Sequence, residues 1–328
     1  MTVGVSFDDP GLTSRIRSGV DRVEALLARS VDSPEPFVAE AAAHLLNAGG
    51  KRFRPLLTLL CAEFGEPEGD EAVEAAVVME LTHLATLYHD DVMDEAPVRR
   101  GAPSANARWD NSIAILVGDY LFAEASQIVA GLGTEAVRIQ AETFSRLVRG
   151  QIRETLGPGE GDDPLRHYLD VVADKTGSLI AACALLGSKV AGADDEVQRT
   201  LLEFGERIGV AFQLADDIID IASESGDSGK TPGTDLREGV PTLPTLLVLA
   251  STDEENAELR ARLSGPIEDD ALVERTLAEL RDHPLMADAR AYVHAEAAAS
   301  RALLEKLPAG PARDALSELC DTVVTRVG

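Results

Sequence analysis

The sequence predicts an all-α protein built as a large helical bundle, and three observations support this fold class. Apolar residues recur at three- and four-residue spacing in segment after segment, and alternating β-type patterns are rare. Ala and Leu dominate, whereas aromatic residues make up only 4% of the chain. With 328 residues and 45% hydrophobic content, the chain can bury a sizeable core. We predict one domain over residues 1–328, because no segment resembles an interdomain linker.

Helical periodicity places nine helices before Thr252. In chain order they are Thr13 to Ser30, Pro36 to Ala48, Arg54 to Phe64, Asp70 to Met93, Ala105 to Ala130, Thr134 to Thr155, Pro164 to Val190, Asp194 to Ile221 and Leu243 to Ala250. Gly, Pro and Asp mark the main breaks, at Gly65 to Gly69, Gly157 to Pro164 and Ser223 to Pro241. We interpret the last of these as a loop over a site. After Thr252 the chain carries no chemical motif and predicts amphipathic packing helices.

One short acidic pattern occurs twice, as Asp90-Asp91-Val92-Met93-Asp94 and as Asp216-Asp217-Ile218-Ile219-Asp220. In each copy the first and last aspartates are four residues apart, so they share one face of a helix. Like charges at this spacing repel each other, and buried carboxylates without partners are costly. Carboxylates without nearby His or Cys ligands suit Mg²⁺, which binds through one or two carboxylates and substrate phosphates.

A solvated helix face is the alternative interpretation, since this acidic chain has other Asp pairs. These pairs, at Asp162-Asp163, Asp194-Asp195 and Asp269-Asp270, lie in contexts typical of loops or helix starts. Two full copies at the ends of apolar helices favour the metal site.

Basic residues accompany the acidic motifs. The segment Gly49-Gly50-Lys51-Arg52-Phe53-Arg54-Pro55 puts three cations at the start of an apolar helix, and Arg99-Arg100-Gly101 closely follows the first motif. Such groups give strong charge-assisted contacts to phosphates, so a diphosphate is the expected ligand. A formal net charge of -27 argues against nucleic acid as a partner.

Taken together, these stretches make the sequence similar to the all-trans polyprenyl diphosphate synthases, which have an isoprenoid synthase-like helical fold around a central cavity. The resemblance runs over most of the chain from Gly49 to Pro244. The matching stretches are GGKRFRP from Gly49, ELTHLATLYHDDVMDEAPVRRG from Glu80, GD from Gly118, KTGSLI from Lys175, FQLADDIID from Phe212 and GKTPGTDLREGVPTLP from Gly229.

The resemblance implies roles for individual residues. It assigns metal binding, with the two aspartate motifs facing each other across the cavity, to Asp90, Asp94, Asp216 and Asp220, assisted by Asp91 and Asp217. The implied isopentenyl diphosphate contacts are Lys51, Arg54, His83 and Arg100. The implied allylic diphosphate contacts are Arg99, Lys175, Thr176, Gln213 and Lys230. The four principal aspartates with Lys175, Lys230 and Arg99 form the predicted catalytic set. Val240 stands where many short-chain members have a second lysine, for which Lys230 or Arg237 would compensate.

The chemistry of prenyl transfer requires the kinds of residues that the resemblance implies. Breaking an allylic C–O bond leaves a delocalised cation and a diphosphate anion, so catalysis requires Mg²⁺ and cations that stabilise the leaving group. The C=C bond of isopentenyl diphosphate attacks the allylic cation, and the final proton leaves to the released diphosphate. No nucleophilic triad is needed. His83 alone would usually be a core histidine, but its position before Asp90 favours ligand contact.

Product length is predicted from the turn before the first motif. Family members with bulky aromatic residues there stop at short products, and this chain has Ala85 and Thr86 instead. The first motif also lacks the two-residue insertion of typical bacterial farnesyl synthases. We therefore predict a long-chain product beyond geranylgeranyl diphosphate. Close helix packing is the alternative explanation for Ala85.

Other functions stay open at this stage: a short-chain farnesyl or geranylgeranyl synthase, a class I terpene cyclase or head-to-head synthase, and a non-catalytic partner subunit. The family implies a homodimer, with transient membrane contact for product release. The scattered Cys61, Cys183 and Cys320 predict buried thiols in a reducing compartment. Without a recognisable signal peptide or membrane-spanning run, we expect a cytoplasmic protein.

Overall fold

The structure is a computed structural model that describes residues 7–66, 69–222 and 232–327. It confirms the all-α prediction, since helices form nearly all of the regular structure in these ranges. The chain divides into two compact units. Unit 1 comprises Met1–Ser145, Leu179–Gly205 and Leu303–Leu316, and unit 2 comprises Arg146–Ser178, Glu206–Ala302 and Ser317–Gly328. The single domain of the sequence analysis stays a prediction.

The described residues contain sixteen α-helices and one two-stranded antiparallel hairpin. The helices up to the second acidic motif are α1 Pro10–Ser30, α2 Pro36–Asn47, α3 Phe53–Ala62, α4 Glu71–Met93, α5 Ala105–Arg108, α6 Asn111–Gly131, α7 Thr134–Leu156, α8 Pro164–Val172, α9 Ser178–Val190 and α10 Asp195–Ala222. Those after it are α11 Thr234–Glu238, α12 Leu243–Ala250, α13 Ala257–Arg262, α14 Asp270–Arg281, α15 Leu285–Leu304 and α16 Pro311–Thr325. The strands are β1 Val98–Arg99 and β2 Ala102–Pro103.

Helix α4 forms the centre of unit 1 and packs against α1, α3 and α6. Its apolar residues are almost all buried, which explains its weak amphipathic pattern. The buried Tyr88 hydroxyl fixes its end by donating to Ala41 O at 2.5 Å and accepting from Leu45 N at 3.2 Å, both on α2. Gly118 on α6 admits the His89 ring, since a Cβ at this position would lie 2.3 Å from His89 Nε2. These contacts hold the end of α4 and thereby position the first aspartate motif.

A π-helical turn, Ala173–Gly177, follows α8 in unit 2 and leads into α9. Helical periodicity predicted one unbroken α-helix from Pro164 to Val190, and this prediction was wrong at the turn. A π-turn inserts an extra residue into the helix, and helical periodicity does not reveal it. Such turns are frequent at functional sites.

Two further differences concern the region after the first motif. The predicted helix from Ala105 to Ala130 is broken after Arg108, because Asp110 caps α6 by accepting from Ile113 N at 2.9 Å. The β1–β2 hairpin was not predicted, and it turns through Arg100 and Gly101, both with positive φ.

The interpretation of the other Asp pairs is confirmed. Asp163, Asp194 and Asp269 each accept hydrogen bonds from amides at the start of a helix, as N-caps do. The three cysteines are buried thiols, as predicted.

Candidate active site

The first aspartate motif ends α4 in unit 1 and is paired with an arginine of the hairpin. Asp91 is fully buried, and its Oδ1 accepts from Arg99 Nε at 2.6 Å. Arg99 Nη2 also lies 3.6 Å from Asp94 Oδ2, so one guanidinium neutralises two of the three aspartates. Burial raises the pKa of Asp91, and the pairing with Arg99 opposes that shift. The other oxygen of Asp91 is buried without a hydrogen-bond partner among the described residues.

The basic segment before α3 is organised by Arg52, whose backbone is left-handed with φ 50°. Its buried side chain pairs with Glu24 at 2.5 Å and with Glu80 at 3.2 Å. Arg52 is therefore turned into unit 1, whereas the neighbouring Lys51 is exposed. The sequence pattern did not indicate this role of Glu80, because its partners lie far away along the chain.

Three of the predicted diphosphate cations act electrostatically on His83. Burial, followed by the positive charges of Arg54, Arg100 and Arg99, lowers the pKa of His83 well below its usual value. His83 is therefore neutral at pH 7, and its ring can donate one hydrogen bond and accept another without adding charge.

Arg100 is held by two backbone carbonyl groups. Its Nη1 donates to Leu45 O at 3.0 Å and to Gly49 O, and its Nη2 lies 4.0 Å from Glu80. Burial is the main reason that its pKa is lowered. The contact to Gly49 O ties the hairpin to the basic segment.

The two predicted product-length residues lie inside unit 1. Ala85 is fully buried, and Thr86 is buried with its hydroxyl donating to His83 O at 2.8 Å. Burial of Ala85 is compatible both with an open product channel and with close helix packing. Its role in product length stays a prediction.

The second aspartate motif lies near the end of α10 in unit 2, and its central residue Asp217 is held by uncharged hydrogen-bond donors. Asp217 accepts from Gln213 Nε2 at 3.0 Å and from the Tyr168 hydroxyl. Thr176 Oγ1 donates to Gln213 Oε1 at 3.1 Å. Burial is the largest cause that raises the pKa of Asp217 to about 6. Thr176 and Gln213, both predicted allylic diphosphate contacts, are thus connected to the second motif.

Lys175 lies in the π-turn and pairs with Glu154 of α7 at 2.5 Å. The adjacent Asp174 is clamped by Arg146 at 2.7 Å and Arg153 at 3.0 Å. Helix α7 approaches closely at Gly150, where a Cβ would lie 2.7 Å from Lys175 N. Lys175 was predicted from the sequence, but the residues that hold this turn were not, because they come from a different helix.

Arg326 near the C-terminus was also missed. It pairs with Asp216 Oδ1 at 2.5 Å, and its guanidinium carbon lies 4.6 Å from the centre of the Phe212 ring. The prediction that the region after Thr252 only packs is therefore incomplete.

Some predictions concern the segment before α12. Lys230 lies outside the described residues. Arg237 is engaged with Asp270 at 3.0 Å and Pro232 O at 2.8 Å, whereas Val240 N donates to Asp235 O at 2.9 Å. The first motif belongs to unit 1 and the second to unit 2, so their opposition across a central cavity stays a prediction.

The donors fit a hard divalent cation bound together with a phosphate ligand. Among the described residues, no three His, Cys, Asp or Glu side chains already converge as a complete metal cage. Mg²⁺ does not require one, because it keeps waters and uses one or two carboxylates plus substrate phosphates. The buried, unbonded oxygen of Asp91 is a suitable donor within the first motif.

The sequence model of the polyprenyl synthetase family matches residues 35–280. A nonaprenyl diphosphate synthase of Mycobacterium tuberculosis is 52% identical over 329 residues, covering 100% of this chain and 98% of that protein. These findings confirm the family that the motifs indicate and the enzyme class of prenyltransferase.

Solved structures agree in fold. A geranylgeranyl pyrophosphate synthase from Corynebacterium glutamicum, complexed with calcium and isoprenyl diphosphate, has a TM-score of 0.89 and 49% identity, covering 99% of this chain and 100% of that chain. A decaprenyl diphosphate synthase from Rhodobacter capsulatus has a TM-score of 0.87 and 34% identity, covering 97% of this chain and 98% of that chain.

Proposed function

Because this chain belongs to the polyprenyl synthetase family, we propose that it extends an allylic diphosphate with isopentenyl units to a long all-trans polyprenyl diphosphate in a Mg²⁺-dependent reaction. One observation carries the proposal beyond the family. Thr176 and Gln213, which would contact the allylic diphosphate, form one hydrogen-bonded chain with Asp217 of the second aspartate motif. A diphosphate bound there would lie beside metal-binding carboxylates.

Leaving-group stabilisation is the main catalytic task. The residues that would hold Mg²⁺ are Asp90, Asp94, Asp216 and Asp220, with Asp91 and Asp217 assisting. The bound metal would supply Lewis-acid stabilisation of the departing diphosphate. Arg99 and Lys175 would add fixed positive charge to its oxygens. Both now pair with acidic residues, Asp91 and Glu154, so substrate oxygens would compete for these cations.

The isopentenyl diphosphate would be held by the cations of unit 1. Arg54 and Arg100 lie around the neutral His83, and Lys51 is exposed beside them. These groups orient the C=C bond toward the allylic carbon, so this half of the reaction depends on positioning. The proton lost from the condensed product would pass to the released diphosphate.

A long product is favoured by the small residues Ala85 and Thr86 and by the 52% identical nonaprenyl diphosphate synthase. The 49% identical geranylgeranyl pyrophosphate synthase supports the short-chain alternative. Similarity alone therefore does not decide product length. We propose the long-chain product because the turn before the first motif has no bulky side chain.

The decisive experiment combines purified protein, labelled isopentenyl diphosphate and allylic starters of different lengths, followed by sizing of the products. We expect Mg²⁺-dependent products longer than geranylgeranyl diphosphate and none in EDTA. Diphosphate release without isopentenyl diphosphate would indicate a cyclase or head-to-head synthase instead. No turnover with any starter would indicate a partner subunit, and products ending at farnesyl or geranylgeranyl would contradict the long-chain proposal.

Product length has a second test in Ala85→Phe. If Ala85 borders the growing tail, the ring should shorten the main product by several isoprene units while the first condensation is largely retained. The matched control is Ala85→Ser, which adds little volume and should leave the product unchanged. An unchanged product from a folded Phe variant would contradict the role of Ala85.

We propose that the protein works as a cytoplasmic homodimer. Helix α6 exposes Ile115 and Leu116 in unit 1, and Leu116 is 61% exposed. Among the described residues α6 is the one helix long and apolar enough to cross a membrane by composition, with 33% of its most apolar window buried. Light scattering on the purified protein tests the oligomeric state, since a monomeric mass would contradict a homodimer.

A further inference from the structure

The C-terminal helix brings a cation to the second aspartate motif. Arg326 lies just beyond α16, 110 residues after Asp216, and its Nη2 reaches Asp216 Oδ1 at 2.5 Å. The guanidinium carbon also lies 4.6 Å from the centre of the Phe212 ring, one helical turn before Asp216. Two independent contacts therefore direct this side chain to α10.

The end of the chain is anchored beside this contact. Arg290 of α15 donates from Nε to Val327 O at 2.7 Å, so the residue after Arg326 is tied to a neighbouring helix. This hydrogen bond fixes the backbone next to Arg326. The fold of the backbone therefore helps to place the Arg326 side chain against α10.

The Arg326 guanidinium does not use all of its hydrogen-bond donors. Arg326 Nη1 is buried without a hydrogen-bond partner among the described residues. A buried N–H without an acceptor weakens the placement of the whole group. The guanidinium is therefore held on α10 with one of its N–H groups left unbonded in the part of the chain that the structure describes.

We infer that Arg326 is an internal counter-ion of the second aspartate motif that competes with a divalent cation for Asp216 Oδ1. The three aspartates Asp216, Asp217 and Asp220 repel each other within two turns of α10, and a nearby guanidinium relieves that repulsion. A divalent cation bound to the same oxygen would be repelled by Arg326 until this side chain moves. Arg326 is a positioning residue, and the inference rests on the metal role of Asp216 in the proposed function.

Direct metal binding is the test, with Mn²⁺ as the probe in the absence of diphosphate and free Mn²⁺ counted by electron paramagnetic resonance. Arg326→Leu should tighten binding at the second motif by about fivefold, the scale of a partly exposed ion pair. The matched control is Arg301→Leu, which removes the same charge from unit 2 but breaks an exposed pair with Asp321. Arg326→Lys keeps the charge and should bind like the wild type.

Asp216→Asn separates the possible failures. If it weakens Mn²⁺ binding and Arg326→Leu binds no more tightly than Arg301→Leu, the counter-ion inference is wrong and the metal role of Asp216 stands. If Asp216→Asn leaves binding unchanged, both the inference and the proposed metal role fail. Circular dichroism on each variant checks that the helices remain folded.

Hydrogen exchange gives a second measurement. In the wild type, Mn²⁺ should increase amide exchange over residues 317–327, because the Arg326–Asp216 pair is displaced and, of the two hydrogen bonds described above, only Arg290–Val327 still holds this end. Arg326→Leu should show the faster exchange before Mn²⁺ is added and no further change after it. Protection of this segment by Mn²⁺ in the wild type would contradict competition.

Discussion

The two aspartate motifs have the same sequence pattern but different surroundings. In unit 1 the motif is controlled by charge, because Arg99 pairs with Asp91 and lies near Asp94. In unit 2 the central aspartate is controlled by neutral groups, since Asp217 accepts from Tyr168 and Gln213. The pattern Asp-Asp-x-x-Asp therefore specifies the carboxylates but not the groups that hold them.

This difference has an electrostatic consequence. In the helix that carries the first motif, the charges of four arginines act on one histidine, and the buried Glu80 pairs with two of these arginines. The second motif has Arg326 and the π-turn Lys175 nearby, each already paired with an acid. Among the described residues, more arginines act on His83 beside the first motif than cations are paired near the second, as the predicted isopentenyl diphosphate site requires.

Removing one metal ligand from each motif should have the largest effect. We expect Asp90→Ala and Asp216→Ala each to lower kcat by about 10³-fold, because the loss of metal coordination removes several kcal/mol of leaving-group stabilisation. Steady-state kinetics with saturating Mg²⁺ measure this, and circular dichroism should show unchanged helix content. Glu160→Ala, in an exposed loop, is the control. Near-normal turnover in either aspartate variant would contradict a shared metal role.

Breaking the buried ion network of unit 1 should affect stability more than breaking the neutral network of unit 2. Glu80→Gln leaves Arg52 buried without its closest buried counter-ion, and we expect unfolding to become easier by about 3–5 kcal/mol. Tyr168→Phe removes one hydrogen bond and should cost about 1 kcal/mol. Chemical denaturation compares the two, with the more exposed Glu24→Gln as the control. Equal losses would show that charge does not distinguish the two regions.

The diphosphate contacts should separate by substrate. Arg100→Ala should raise KM for isopentenyl diphosphate by about 10–100-fold, whereas Lys175→Ala should act mainly on the allylic diphosphate. The physical reason is that, in the proposed function, each cation would donate to only one of the two diphosphates. Arg138→Ala removes a surface cation of α7 and should leave both KM values unchanged. Equal effects of Arg100→Ala and Lys175→Ala on both substrates would overturn the assignment of two sites.

The smallest effects should appear as opposite pH dependences. The folded pKa of His83 is below its unfolded value of 6.5, so His83 contributes a loss of stability as pH falls below 6.5. The folded pKa of Asp217 is about 6 against 3.8 unfolded, so its contribution to stability falls as pH rises from 3.8 to about 6. For one titrating group, the free energy of unfolding changes by at most about 1.4 kcal/mol per pH unit.

Denaturation between pH 4 and 7 tests these signs. His83→Gln should reduce the decrease in the free energy of unfolding as pH falls below 6.5. Asp217→Asn should remove the decrease in the free energy of unfolding as pH rises from 3.8 to about 6. The same slope in both variants would mean that the two groups do not titrate as their surroundings imply.

Local sequence determined the frame of this protein. Helical spacing predicted α4 and α10 nearly to their ends, and the repeated aspartate pattern placed both motifs there. The basic segment and Arg99-Arg100 were recognisable because their residues are close together in sequence. The family match confirmed that these local signals identify the enzyme class.

Tertiary structure decided the partners of these residues. Tyr168 reaches Asp217 across 49 residues, and Arg326 reaches Asp216 across 110. The π-turn at Lys175 and the burial of Glu80 likewise depend on which helices pack together. Periodicity fixes only the face on which a side chain lies. The group that it meets there is set by the packing of distant helices, and that packing also sets burial and pKa.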